Sequence, residues 1–241
     1  MKTQFNLATL VLISIFLNAC DGITNIIPSD IVTTQQYTFS GYDQINTESA
    51  FTIYVEFSDT EESIEIEAND NLHQYIEVKN ESGTLKVGFR DNIGIKGSAT
   101  LNAYITTKNV TGYAASGASR FIVGDEISEE DASIFLSGAS QFTGELFVDN
   151  LSADLSGASV LLLTGEADAF DLTASGASTI GDFGFSSKYL NINFSGASNA
   201  SLTVTEEMDV KASGASILQY KGSGVISNQN LSGGSQIINV N

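Results

Sequence analysis

The chain has 241 residues, with 10 Lys and Arg against 29 Asp and Glu, a formal charge of −19. That balance disfavours nucleic acid and anionic lipid surfaces as partners, and is compatible with cations and with cationic or neutral glycans and proteins. A single histidine, His73, excludes a two-histidine metal site, a single cysteine excludes an internal disulfide, and the absence of tryptophan removes indole platforms for sugars.

Lys2 opens a short positive start, and Leu7 to Leu17 is apolar apart from Thr9 and Ser14. That run is too short to span a membrane. It closes on Leu17-Asn18-Ala19-Cys20 and resembles a bacterial lipoprotein signal peptide with its lipobox. The resemblance implies that residues 1–19 are removed and that Cys20 is the lipidation site. The protein is then held to a membrane through the lipid on Cys20, and several acyl chains hold more firmly than one. Residues 20–40 read as the lipidated N-terminus and a tether with the only proline, Pro28, although Ile26, Ile27, Ile31 and Val32 have the character to pack on a domain. Residues 41–241 read as one domain.

From 41 to 110 the pattern alternates with period two, as in Phe51-Ile53-Val55, Ile64-Ile66-Ala68 and Leu101-Ala103-Ile105. These are strands with one buried face. Asn69-Asp70-Asn71 opens a tight turn or one helical turn towards Tyr75. The segment is expected to form irregular first coils that cover the first rung of a repeat array on its C-terminal side.

From 111 to 241 one phrase, Ser-Gly-Ala-Ser, recurs. It starts at Ser116, Ser137, Ser156, Ser175, Ser195 and Ser213, and a seventh copy at Ser232 replaces Ala with Gly, so the spacings are 21, 19, 19, 20, 18 and 19. Apolar residues sit one, three and five positions before each first Ser and five after it, as in Leu151, Ala153, Leu155 and Leu161. A near-constant period with one repeated corner predicts an all-β fold: a parallel β-helix, a solenoid of ~19–20 residues per coil with rungs ~4.8 Å apart. Right-handed coiling is the default for parallel crossovers. An antiparallel sandwich or barrel is the alternative, but it needs no identical corner at one offset. Parity carried through the corner places Gly and the second Ser inward, and the first Ser and Ala outward. The inward Gly leaves room at the turn, and the inward hydroxyls bond along the column or to a backbone carbonyl.

Strongly alternating strands, then repeated small-residue Ser-Gly corners, behind a lipobox, resemble the auto-transporter adhesin head GIN domain family, common as secreted or envelope lipoproteins in Bacteroidota. The resemblance runs from about Tyr37 to Asn241. It implies a right-handed β-helix and a role in adhesion. No translocator barrel follows the seventh corner, so export is expected to depend on the lipobox.

Catalytic patterns are missing. There is no Gly-x-Ser-x-Gly elbow, no Walker loop and no Gly-x-Gly-x-x-Gly. Seven repeated serines suit a structural column, since a nucleophile is needed once. Asp154, Asp171 and Asp209 face outward and offer oxygen ligands to Ca²⁺, but Asp154 lies two residues before its first Ser and the others four before theirs. They do not make one column, and no metal or other cofactor is assigned. Phe135 is an outward aromatic exception. A buried Ser column cannot bind a ligand, so a ligand face must use outward positions, among them Asp154, Asp171, Asn191, Asn193 and Asp209.

The expected function is therefore a lipid-anchored cell-envelope protein at the outer membrane, a non-catalytic surface module that binds a glycan or protein. One alternative is a structural or accessory envelope lipoprotein without a soluble ligand. The other is a polysaccharide lyase or glycoside hydrolase built on a β-helix. No individual ligand-binding residue is assigned.

Overall fold

The period-two pattern on either side of each corner becomes two stacks of strands wound into a β-solenoid of about seven turns. The computed structural model describes residues 23–241. The expected signal peptide, 1–19, and the expected lipidation site, Cys20, lie outside the described residues.

In the repeat region one coil is nearly one strand. Arg120–Leu136, Gln141–Leu155 and Val160–Ala174 lie side by side and parallel. The last two are in register, with Gln141 opposite Val160 and Leu155 opposite Ala174, and the first carries two extra residues between Ile122 and Glu126. Like residues therefore stack inside. Phe121, Phe142, Leu161, Ile180, Ala200 and Leu218 form one buried column. Each large side chain so buried contributes roughly 1.5–3 kcal/mol. Tyr113 closes the aromatic end of the column edge-on to Phe121 and Phe142, at 5.4 and 5.0 Å between ring centroids. Pairing lapses once per coil at Glu130, Asp149, Asp168 and Lys188. Two outward residues follow one another there, as at Asp149 and Asn150. This second corner, unlike the first, is charged.

At the Ser-Gly-Ala-Ser corner the serine column is inward as parity predicts. Ser119, Ser140, Ser159, Ser178, Ser198 and Ser216 are all fully buried, and Ala118 to Ala215 at the preceding positions are exposed. Ser235, on the last rung, is half-buried.

The glycine expectation is corrected, and of the two partners expected for the hydroxyls the backbone carbonyl is the one used. The glycine does not point inward. Gly138, Gly157, Gly176, Gly196 and Gly214 are exposed, with φ between 73° and 77°. A Cβ on Gly157 would stand 2.4 Å from the carbonyl oxygen of Gly138. Left-handed backbone and close stacking of one corner on the next are what require glycine here.

Nor do the hydroxyls bond along the column. The ladder pairs Ser156 N–H with Leu136 O, Ala158 N–H with Gly138 O and Val160 N–H with Ser140 O. No backbone N–H in these contacts takes Ser156 O. The Ser159 hydroxyl donates to it at 2.8 Å, and Ser140, Ser178, Ser198 and Ser216 do the same three residues back. Serine is used because these five corners each leave one carbonyl without a ladder partner. At the first corner Ser119 N–H itself donates to Ser116 O at 3.3 Å, and the Ser119 hydroxyl is left without a partner.

The first coils are continuous with the array but thread differently from a simple stack. Gln44–Thr47 lies parallel to Gly112–Ala115, and Thr52–Phe57 pairs with the Arg120 strand through Thr52–Val55. Between them Glu48-Ser49-Ala50-Phe51 forms a further corner in the same column, with Ser49 under Gly117 and Phe51 under Ser119. Ser49 and Ala50 hold φ of 66° and 65° without being glycine. The chain then descends. Thr84–Phe89 and Leu101–Thr107 make a coil beneath the earlier one, parallel to Gln44–Thr47 and Thr52–Phe57.

Antiparallel strands seal that end. Ile76–Glu81 joins Thr84–Phe89 through a two-residue turn, Ser82-Gly83, with both φ positive, at 53° and 84°. Ser63–Asn69 runs antiparallel to Leu101–Thr107, and Val32–Tyr37 lies outside it. A 3-10 helix, Asp70–Tyr75, stands where the helical turn was expected. The segment read as a tether is tied down from Thr24 onward, because Thr24–Ile26 pairs with Ile93–Ile95.

Candidate functional site

The solenoid offers three surfaces built from outward side chains: a polar face before the corner that carries Asp154, Asp171, Asp209 and Lys211, a groove where that face meets the cap, and a face after the corner whose first two columns are almost uncharged.

On the face before the corner, register places Ser133, Ser152, Asp171, Asn191, Asp209 and Asn228 in one column. Asn191 Nδ2 donates to Asp171 at 2.9 Å and Asn228 Nδ2 to Asp209 at 3.1 Å. Asp154 and Asn193 lie in the next column. Of the five outward positions named from sequence, three thus share a column and two share its neighbour. The aspartates of the first column are two rungs apart with an asparagine between them, which spaces the charges. Among the described residues no three His, Cys, Asp or Glu side chains converge as a metal site.

The groove opens at the lower end of this face. It encloses about 650 Å³ and is lined by Lys79, Lys86, Arg90, Glu48, Glu77 and Asp91 among others. A second hollow of about 280 Å³ shares Asn46 and Lys86 with it and ends at Ser133 and Phe135, over Gly112 and Ala114. Phe135, 54% exposed, is thus the far wall of a trough floored by small residues. Lys79 lies 3.0 Å from Glu77 and 2.9 Å from Glu81, and Lys86 lies 2.6 Å from Glu81. Hydrogen bonds from Lys86 and then Lys79 hold the Glu81 carboxyl below its ordinary range. Sequence reading did not anticipate this gathering of three cations, because they come from two strands and a corner of a region without a repeat.

The face after the corner is different in kind. Its first two outward columns are the residues four and six positions after each first Ser, and a third, eight after, carries Glu145 and Lys221 at its edge. Across seven corners the first two make fourteen positions, and Arg120 is the only charged one. The rest include Gln141, Thr143, Val160, Leu162, Asn199 and Gln219. In register below them, Tyr54 and Tyr104 stack at 5.0 Å between ring centroids with planes 10° apart. Parallel rungs keep the strip flat except on one coil, where residues 181–184 leave the ladder between Thr179–Ile180 and Phe185–Phe194. The strip was legible in the sequence as two even offsets, but only the apolar odd offsets draw the eye.

His73 is buried in the 3-10 helix with Nε2 3.1 Å from Thr33 O, and none of the column serines is hydrogen-bonded to it. No helix among the described residues is long and apolar enough to cross a membrane.

A family model described as "Putative auto-transporter adhesin, head GIN domain" matches residues 41–224. Solved structures share the fold. A "putative lipid binding protein" from Parabacteroides distasonis is 19% identical, with 90% of this chain and 100% of that chain covered and a TM-score of 0.74. A "putative adhesin" from Bacteroides fragilis is 19% identical, with 89% and 97% covered and a TM-score of 0.79. One from Parabacteroides merdae is 19% identical, with 90% and 99% covered and a TM-score of 0.70. A search of curated proteins returned no match.

Proposed function

Because the chain belongs to the head GIN domain family, we propose that it is a non-catalytic binding module of the cell envelope, held to the outer membrane by lipid on Cys20. Its ligand, a neutral glycan or the uncharged surface of another protein, lies along the face after the corner. The observation that carries this reading is charge segregation. A protein of net charge −19 keeps a strip of fourteen outward positions with one charge. A uniformly solvated surface would not need such a strip, and scattered acidic residues would serve solubility better on every face. Amide and hydroxyl side chains between exposed Leu162 and half-buried Val160 offer hydrogen bonds beside apolar contact, the mixture that sugar rings match.

An enzyme is a poorer fit. The groove carboxylates Glu48, Glu77 and Asp91 share it with Lys79, Lys86 and Arg90, and Glu81, which the two lysines push down, lies outside the lining. The paired acids elsewhere, Glu129-Glu130 and Glu206-Glu207, sit at or beside the charged second corner.

The test is a charge inserted on one face and then the other. Thr143→Glu and Leu162→Glu each place a carboxylate in the strip, and Asn193→Glu adds the same charge to the opposite face. On an array of neutral and acidic glycans the unaltered domain is expected to bind neutral ones. The two strip variants are expected to bind about tenfold or more weakly, since an unpaired charge at a contact is costly, while Asn193→Glu binds normally. Equal loss in all three variants, or binding to acidic glycans alone, would contradict the assignment.

A further inference from the structure

Eleven large apolar side chains are exposed among the described residues, and four fall within ten residues of each other: Ile23 at 56%, Ile27 at 69%, Ile31 at 65% and Val32 at 42%. Single exposed apolar residues need no explanation, but a run of them on fixed backbone does. This backbone is fixed. Thr24 N–H donates to Asn92 O at 2.9 Å and Lys96 N–H to Ile26 O at 2.9 Å. Asn71 Nδ2 donates to Ile27 O at 2.9 Å, and Asp70 N–H to Ile31 O at 2.8 Å. Held in this way, the isoleucines stay in solvent instead of folding back onto the core. Only Asp30 is charged within Ile23–Val32.

The stretch also begins close to the lipidation site. Three residues separate Cys20 from Thr24, so four Cα–Cα steps limit the leash to about 14 Å however it runs. Acyl chains on Cys20 would bring this end of the solenoid, and no other, to the bilayer. We propose that Ile23, Ile27 and Ile31 form a membrane-contact surface that seats the cap end of the solenoid on a neutral lipid bilayer, with the last rung pointing away. The occupant is a zwitterionic lipid surface, because the net charge of −19 opposes an anionic one. The inference rests on the Cys20 reading only for what brings the protein to the membrane.

The sole cysteine and the absence of tryptophan make a direct test. The mature chain from Cys20 is coupled through that thiol to a maleimide lipid in phosphatidylcholine vesicles, which imposes the anchor chemically. Ile27→Trp then reports on the cap and Val225→Trp on the far end. The expected result is a blue-shifted Ile27→Trp emission, quenched about twofold or more by brominated phosphatidylcholine, as for a side chain ~5–10 Å into the headgroup boundary. Val225→Trp should match its spectrum in solution. An unquenched Ile27→Trp overturns the proposal while leaving the lipoprotein reading intact. Equal quenching of both reporters overturns it too, since the solenoid would then lie flat. The lipoprotein reading fails separately, if Cys20→Ala stays in the membrane fraction of cells after processing.

Discussion

At Ser159 one hydroxyl stands in for a backbone donor. It meets the Ser156 carbonyl that the ladder leaves open, at 2.8 Å and fully buried. Ser159→Ala removes that bond and strands a buried acceptor, so it is expected to lower stability by about 1 kcal/mol, read by denaturant unfolding. Ala158→Ser on the exposed side should change almost nothing. The first corner tests the glycine argument from the other side. Ser49 holds φ of 66° where every later corner has glycine. Ser49→Gly should therefore raise the melting temperature, because left-handed backbone costs a non-glycine residue about 1–2 kcal/mol, more than the entropy glycine adds to the unfolded chain. A lower melting temperature would mean that the Ser49 side chain has a stabilising role. Parity alone predicted the buried serine and the exposed alanine. It could not predict the glycine, because alternation assumes extended backbone, and at Gly157 a φ of 75° breaks that assumption while the next residues restore the phase.

The rung is the unit at the next scale. Gly157→Val puts a side chain on left-handed backbone and a Cβ 2.4 Å from Gly138 O. Strain and overpacking together cost about 2–4 kcal/mol. Gly233→Val meets the same local obstacle, 2.5 Å from Gly214 O. The consequences differ because Gly157 has rungs on both sides, whereas the last rung can fray alone. Thermal unfolding should show a clearly larger loss for Gly157→Val, and equal losses would contradict stacked coils. The regular coils were legible because every one repeats the same offsets. The cap was not. Its strands were visible as alternation, but whether Ile76–Glu81 pairs parallel or antiparallel depends on the Ser82-Gly83 turn, and the descent of residues 84–107 beneath 44–57 leaves no trace in local pattern.

For the whole molecule, the arrangement sorts charge by face and apolar exposure by end. Charge gathers at the second corner, a nearly uncharged strip runs after the first, and exposed isoleucines gather beside the segment that leads to Cys20. Together these are what the proposed module needs: an apolar end for the proposed anchor and one long side kept free of repulsion for the proposed ligand. Cys20→Ala is expected to yield a soluble or an unprocessed protein in cell fractionation, since the lipid on Cys20 is the proposed anchor. The central claim is that the module binds at the cell surface, and protease treatment of intact cells tests it most directly. The account predicts that added proteinase removes the protein from unbroken cells while a periplasmic marker survives. Full protection of the protein until the outer membrane is opened would contradict it.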